Sequence, residues 1–164
     1  MALGTATIQM QCPEQHRERL HDLVKATRAV LVLSCSSGER VVGQPMLLLR
    51  TADDTTLYVA TALDADELVT LASDPRVTVV VGAGAALFDA EAVVLREREL
   101  LDGLPREAWK LWGRKKSDPS IKVLEIRPIE GAYWAGSCRH SYQYRSAPRR
   151  VAALCDAAPM AMEG

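Results

Sequence analysis

The sequence predicts a mainly β fold, a small antiparallel barrel of six strands with helices at its periphery. Short apolar runs, several of them alternating with polar residues, follow one another with brief turns between them, as hairpin-connected strands do. Helices are indicated only at the start, after the third strand and after the fifth. A parallel sheet would need a helix between most of its strands, so an antiparallel barrel is the better interpretation.

The size and composition of the chain are those of an ordinary globular domain. Its 164 residues, 48% of them hydrophobic and 25% charged, can bury a core without disulfides or metals. The net charge of −1 offers no basic excess for nucleic acid. Residues 1–15 lack secretory-signal features, and no apolar run approaches the roughly 18 residues of a membrane span. We therefore expect a cytoplasmic protein that binds neither nucleic acid nor membrane.

The cysteines predict no metal site. They are scattered through the chain, without a CxxC pair or a histidine at metal-ligand spacing: Cys12, Cys35, Cys138 and Cys155. His140 lies near Cys138 and Tyr142, and these residues would approach metal-ligand geometry only if the tail folded back. A lone histidine in a polar tail is more often exposed.

The first half of the chain predicts one helix and three strands. Pro13 suits a first helical turn, and apolar residues at helical spacing extend the helix over about 13–27. Strands are predicted over 29–34, 40–50 and 56–61. Pro45 cannot donate a ladder hydrogen bond, so it marks an edge or a bulge in the second strand.

The second half begins with a capped helix. Asp64 and Glu67 have the spacing of a capping box, and Asp74-Pro75 ends this helix. Further strands are predicted over 77–81, 87–95 and 121–126, with a helical stretch over 96–112 that breaks near Gly103-Leu104-Pro105. Pro128 is predicted to begin the exit from the sixth strand.

We divide the chain into a barrel domain over residues 1–135 and a tail over 136–164. The tail is polar and then rich in alanine. Two interpretations stay open for it, a short last helix or disorder.

Four stretches together resemble a known family. They are VLSCSSGERVVGQPMLLLR, LYVAT, SDPRVTVVV and VLEIRPIEGAYW, within about residues 14–134. The chain is similar to the pyridoxamine 5'-phosphate oxidase-like family, particularly its general stress protein branch. The resemblance implies a split β-barrel that binds FMN, usually as a homodimer with two flavins in the subunit interface.

The resemblance also implies cofactor-binding positions. The family pattern Arg-Pro-Met corresponds here to Gln44, Pro45 and Met46, and Thr61 ends a strand that often meets the flavin. At the opening of the second helix the family usually has a lysine, where this chain has Glu67. Both cations that would contact the flavin phosphate are thus replaced.

Acidic side chains gather where a phosphate would lie. Asp64, Asp66 and Glu67 would place three carboxylates around the N-terminus of a helix, where the dipole otherwise favours an anion. Without any ligand, Asp64 and Glu67 are explained as a helix cap, and Gln44 as a solvated barrel residue.

A helix farther along the chain supplies two more candidates. Trp112 is three residues from Trp109, and Arg114 begins a basic run. Trp112 is a candidate lid over the isoalloxazine ring, with Arg114 in place of the missing cations. The alternative is a helix that packs its tryptophans on the barrel. Arg40 and Arg50 are the other candidate cations.

We interpret the chain as an FMN-binding flavoprotein of the general stress protein type, a flavin-dependent oxidoreductase. No nucleophile with a positioned base can be identified, and flavin chemistry needs none, because the ring carries the electrons. The catalytic residues, substrate and electron donor are not indicated. The alternative is a flavin-less split-barrel dimer that serves as a binding or structural module, with another small molecule in the interface cleft. Apolar strand faces with Leu47, Leu49 and Val79 predict the homodimer.

Overall fold

The computed structural model describes residues 12–35, 40–82, 85–104, 106–112, 115 and 117–144. Within these residues, seven antiparallel strands form one sheet in the order β3-β2-β1-β4-β5-β6-β7. The strands are β1 (Ala29–Cys35), β2 (Val41–Thr51), β3 (Leu57–Ala62), β4 (Arg76–Val81), β5 (Ala86–Leu95), β6 (Ile121–Ala135) and β7 (Cys138–Gln143). The helices are α1 (Pro13–Lys25), α2 (Ala65–Ser73) and α3 (Arg106–Trp112), with a 3-10 turn at Glu99–Gly103.

The first six strands close into a barrel through β6. The first part of this long strand pairs with β3, from Ile121 opposite Ala62 to Ile126 opposite Leu57. The same strand pairs with β5 along most of its length. Because β3 begins the strand order and β6 is its sixth strand, their pairing completes the barrel. The mainly β antiparallel barrel predicted from the sequence is confirmed.

Inward-facing residues of the strands fill the barrel, as the alternation of side chains requires. The core includes Val30 and Val32 of β1, Val79 of β4, Phe88 of β5, and Ile126 of β6, all at most 3% exposed. The helix α1 covers one end of this core. Its stripe of Leu20 and Val24 is completely buried in the same cluster.

The stretch predicted as helical over 96–112 divides at the predicted break into the 3-10 turn, which begins only at Glu99, and α3. The sixth strand differs from its prediction. Pro128 does not end the sixth strand, which continues to Ala135. The register between β5 and β6 shifts here, with Asp89 opposite Glu130 and Ala90 opposite Pro128. This irregularity lets the strand pass a residue that has no amide hydrogen to donate.

The start of the predicted tail is a strand and not a helix or a disordered segment. Gly136, at φ +63°, turns the chain back, and β7 pairs with β6 from Cys138 opposite Ala135 to Gln143 opposite Glu130. The apolar pattern of this polar segment is too weak to predict a strand, and its pairing with β6 is what makes it one. The rest of the predicted tail, residues 145–164, lies outside the described residues.

Val79 also differs from its prediction. It is completely buried inside the barrel of one chain, so it needs no partner subunit. Leu47 and Leu49 are partly exposed on β2. Among the described residues, no helix is long and apolar enough to span a bilayer.

Gly131 lies where α1 meets the barrel, and its lack of a side chain is necessary there. A Cβ atom would come within 2.8 Å of Leu20 Cδ1 and 2.9 Å of Phe88 Cε1. We expect Gly131→Ala to lower the free energy of unfolding by about 1–3 kcal/mol, because two fully buried side chains would have to move. Urea denaturation measures this change.

The matched control is Gly103→Ala, since a Cβ atom at Gly103 would meet nothing within 4 Å. If the two variants unfold at the same urea concentration, the packing of α1 against β5 and β6 is wrong.

Candidate functional site

A cavity of about 300 Å³ lies between the barrel and α2. This volume falls at the lower end of the roughly 300–1,000 Å³ of small-molecule sites. The apolar residues of its wall are Val32, Val42, Met46, Leu63, Leu71, Val77, Ala92 and Leu124. The polar residues of its wall are Ser34, Gln44, Asp64, Asp66, Glu67, Thr70 and Asp74.

Two regular elements supply most of the polar wall. On β2, Gln44 and Met46 face the cavity together because alternate residues of a strand share a face. On the opposite side, Glu67, Thr70 and Leu71 face it together because residues three and four apart share a face of a helix. The cavity therefore lies between one face of β2 and one face of α2.

Gln44 is fixed by two hydrogen bonds to β3. Its Nε2 donates to Thr61 Oγ1 at 3.0 Å and to the backbone oxygen of Ala62 at 2.8 Å. An amide nitrogen has two hydrogens, and both are used here. The carbonyl oxygen of the Gln44 side chain, an acceptor, is what this residue can offer to a ligand.

Asp64 and Glu67 form the predicted capping box. The amide of Glu67 donates to Asp64 Oδ1 at 2.8 Å, and the amide of Asp64 donates to Glu67 Oε2 at 2.8 Å. Asp66 adds a third carboxylate to this first turn, and all three side chains are exposed. Within the described part of the chain, none of the three carboxylates has a cation as an ion-pair partner.

Asp74 is the one carboxylate of the cavity wall that pairs with a described cation. Arg76 Nη2 lies 2.8 Å from Asp74 Oδ2, and Arg76 Nε donates to Oδ1 at 2.8 Å. Hydrogen bonds from the Arg76 side chain, and then from its backbone, lower the pKa of Asp74 to about 2. Asp74 therefore stays ionised near neutral pH, with Arg76 engaged as its partner.

The cavity brings together three of the residues that the resemblance assigns to the cofactor, Gln44, Met46 and Glu67. Thr61 is buried and holds Gln44. Pro45 is exposed and lies opposite Leu31 of β1.

The other candidate cations Arg40 and Arg50 are not among the residues of this wall. Arg50 lies over the ring of Tyr58 at 5.8 Å, near the far end of β2 from Gln44. The side chain of Trp112 and all of Arg114 lie outside the described residues, so the lid at Trp112 and the cation at Arg114 stay predictions.

The sequence analysis missed the second turn of α2 as part of the site. Thr70, Leu71 and Asp74 line the cavity beside Glu67. Thr70 and Leu71 follow Glu67 by three and four residues, and Asp74, the C-cap, follows it by seven. This spacing could have predicted that they share the face of α2 on which Glu67 lies.

The tail does fold back and places His140 beside α1. His140 stacks on His16 with 5.1 Å between ring centroids, and His16 Nδ1 lies 2.8 Å from the hydroxyl of Tyr133. In the described ranges, no group of three or more His, Cys, Asp or Glu residues could hold a metal ion. The contacts of His140 are those of aromatic packing between β7 and α1.

Solved structures share this fold at low sequence identity. A protein related to general stress protein 26, from Clostridium acetobutylicum, aligns with a TM-score of 0.67 at 12% identity, over 79% of this chain and 95% of its own. An FAD-binding protein from Mesorhizobium loti aligns with a TM-score of 0.54 at 15% identity, over 70% of this chain and 90% of its own.

A heme-binding protein from Mycobacterium smegmatis aligns with a TM-score of 0.59 at 13% identity, over 78% of this chain and 57% of its own. At such identities the likeness concerns the fold alone. No curated protein sequence matches the chain significantly.

Family membership follows from the sequence itself. The family described as pyridoxamine 5'-phosphate oxidase like matches residues 15–151, which is most of the 164-residue chain. This chain belongs to the pyridoxamine 5'-phosphate oxidase-like family.

Proposed function

We propose that this chain is a flavoprotein of the general stress protein type, which binds the flavin ring in the cavity between β2 and α2. One observation carries the proposal. Gln44, Met46 and Glu67 occupy the cofactor positions implied by the resemblance, and all three line this one cavity. Membership of the family and the likeness to a solved FAD-binding protein support it.

The two ends of FMN fit the cavity unequally. The wall formed by Val32, Met46, Leu71 and Leu124 offers an apolar surface for a planar ring system. The phosphate end finds no described cation at Gln44 or at Glu67, and it would meet carboxylates instead. The residues present therefore suit the ring of the cofactor and do not suit its phosphate.

A flavin-dependent oxidoreductase is the enzymatic form of this proposal. A bound flavin would supply hydride or electron transfer, while the protein would contribute position and electrostatics. Here Gln44, tied to β3, would present its carbonyl oxygen to the ligand, and the apolar wall would exclude water from the ring. The cytoplasmic location expected from the sequence is part of the same proposal.

A flavin-less split barrel that serves as a binding or structural module is the second candidate. Gln44 and Glu67 favour it, because they replace the cations that the resemblance leads one to expect. The purified protein distinguishes the two candidates by its absorbance after incubation with riboflavin and removal of the excess. Retained flavin bands support the flavoprotein, and a colourless protein supports the module.

We also propose a homodimer, because the outer face of β1 and β2 is apolar. Leu31 is 39% exposed, and the exposed Pro45 lies directly opposite it on β2. Val41, which is 61% exposed, shares the face of Pro45 four residues earlier along β2. Soluble monomers rarely leave such a continuous apolar patch open to water. A second copy of the chain would cover it around a two-fold axis.

Filling part of the cavity should weaken flavin binding. Thr70 lines the cavity, so we expect Thr70→Trp to raise the Kd for riboflavin at least about tenfold, which corresponds to about 1.4 kcal/mol. Val69→Trp is the matched control, since Val69 is the next residue of α2 and is 68% exposed. Quenching of riboflavin fluorescence gives both constants. Equal Kd values for the two variants would place the flavin elsewhere.

Charge on the outer face should dissociate the dimer. We expect the unaltered protein to show about twice the 17.9 kDa of one chain by light scattering at micromolar concentration. Leu31→Glu should reduce this to one chain, because each copy would bury an unpaired carboxylate. Val69→Glu places the same charge at an exposed apolar residue of α2 and should leave the mass unchanged. An unaltered protein that is monomeric contradicts the proposal.

A further inference from the structure

The polar atoms around the cavity are mainly acceptors. Gln44 donates both hydrogens of its amide to Thr61 and Ala62, which leaves its carbonyl oxygen for a ligand. Asp64, Asp66 and Glu67 add carboxylates, which in the ionised state can only accept. A phosphate is itself an acceptor, so it has nothing to gain from these atoms.

The capping box makes the N-terminus of α2 a poorer site for an anion. Free amide hydrogens and the helix dipole usually make such a terminus attractive to phosphate. Here the amide of Glu67 is bonded to the Asp64 carboxylate, and the amide of Asp64 is bonded to the Glu67 carboxylate. The helix supplies its own anions at the place where a phosphate would approach.

Two described arginines are already engaged by other side chains. Arg76 forms a bidentate pair with Asp74 and lies on the wall of a neighbouring groove, not of the cavity. Arg50 lies over Tyr58 near the other end of β2. Among the described residues that line the cavity, none carries a positive charge.

From this arrangement we propose that the site selects a flavin without a phosphate group, and so prefers riboflavin-type ligands to FMN. The inference rests on the flavin binding proposed above and names the form of the ligand. The apolar wall receives the same ring from either compound. The acidic rim distinguishes them, since a phosphate carries close to two negative charges at neutral pH while riboflavin carries none.

Parallel titrations of the unaltered protein with riboflavin and with FMN test the proposal. At low ionic strength we expect FMN to bind at least about tenfold more weakly, because the carboxylates of the rim repel its phosphate in a partly solvated site. At 1 M salt the screening length falls to about 3 Å. The difference should then shrink to within about threefold, while the Kd for riboflavin changes little.

A charge-reversal variant provides the second readout. Asp66→Lys places a cation on the rim and leaves the hydrogen bonds of the Asp64–Glu67 capping box in place. It should tighten FMN binding by about tenfold or more and leave riboflavin binding within about twofold. Glu18→Lys is the matched control, because it makes the same change of net charge on the exposed surface of α1.

Each outcome has a distinct meaning. Riboflavin binding that is tighter than FMN binding, with a gap that closes in high salt, supports the proposal. Binding of FMN as tight as riboflavin at low salt overturns the selectivity and leaves the flavoprotein standing. Binding of neither compound below about millimolar overturns the flavoprotein and the selectivity with it. An equal response of FMN binding to Asp66→Lys and Glu18→Lys shows that the rim is not where the phosphate lies.

Discussion

Strands β3 and β6 pair over six residues, and this pairing both closes the barrel and builds the site. It fixes Thr61 and Ala62, the two residues that accept hydrogen bonds from Gln44. Immediately beyond β3, the amide of Leu63 donates to the oxygen of Ser120 at 2.9 Å, which extends the contact by one residue, to just before the N-cap of α2. This closure therefore fixes the start of α2, which lines the cavity opposite β2.

Local patterns predicted the barrel because most of its strands carry their own signals. The β-branched run of residues 77–81 in β4, and the alternation along β5, suffice to identify strands of a buried sheet. The cap of α2 could be predicted from Asp64 and Glu67 alone, because a capping box involves only four consecutive residues. Where the signal was not local, prediction failed. Pairing with β6 makes a strand of the polar segment of β7, and a register shift carries β6 past Pro128.

The candidate site, too, could be predicted where its signals are local and could not where they depend on distant residues. The resemblance located Gln44 and Glu67, and helical periodicity could have added Thr70. What the sequence could not give is the direction of the Gln44 amide, because its partners lie 17 and 18 residues away on another strand. Without that direction, Gln44 could be taken for a donor to an anion. In the folded chain both amide hydrogens are bonded to β3, so Gln44 offers a ligand an acceptor and not a donor.

Glu67 belongs both to the capping box of α2 and to the cavity wall, so a substitution here affects stability and ligand preference together. Its carboxylate accepts the hydrogen bond from the Asp64 amide and also faces the cavity, so a lysine at this position would remove one of the two hydrogen bonds of the capping box. An arginine in place of Gln44 would likewise have to give up or replace two strand-bridging hydrogen bonds. Each single substitution toward a phosphate-binding site therefore lowers stability, and a background stabilised elsewhere would tolerate it best.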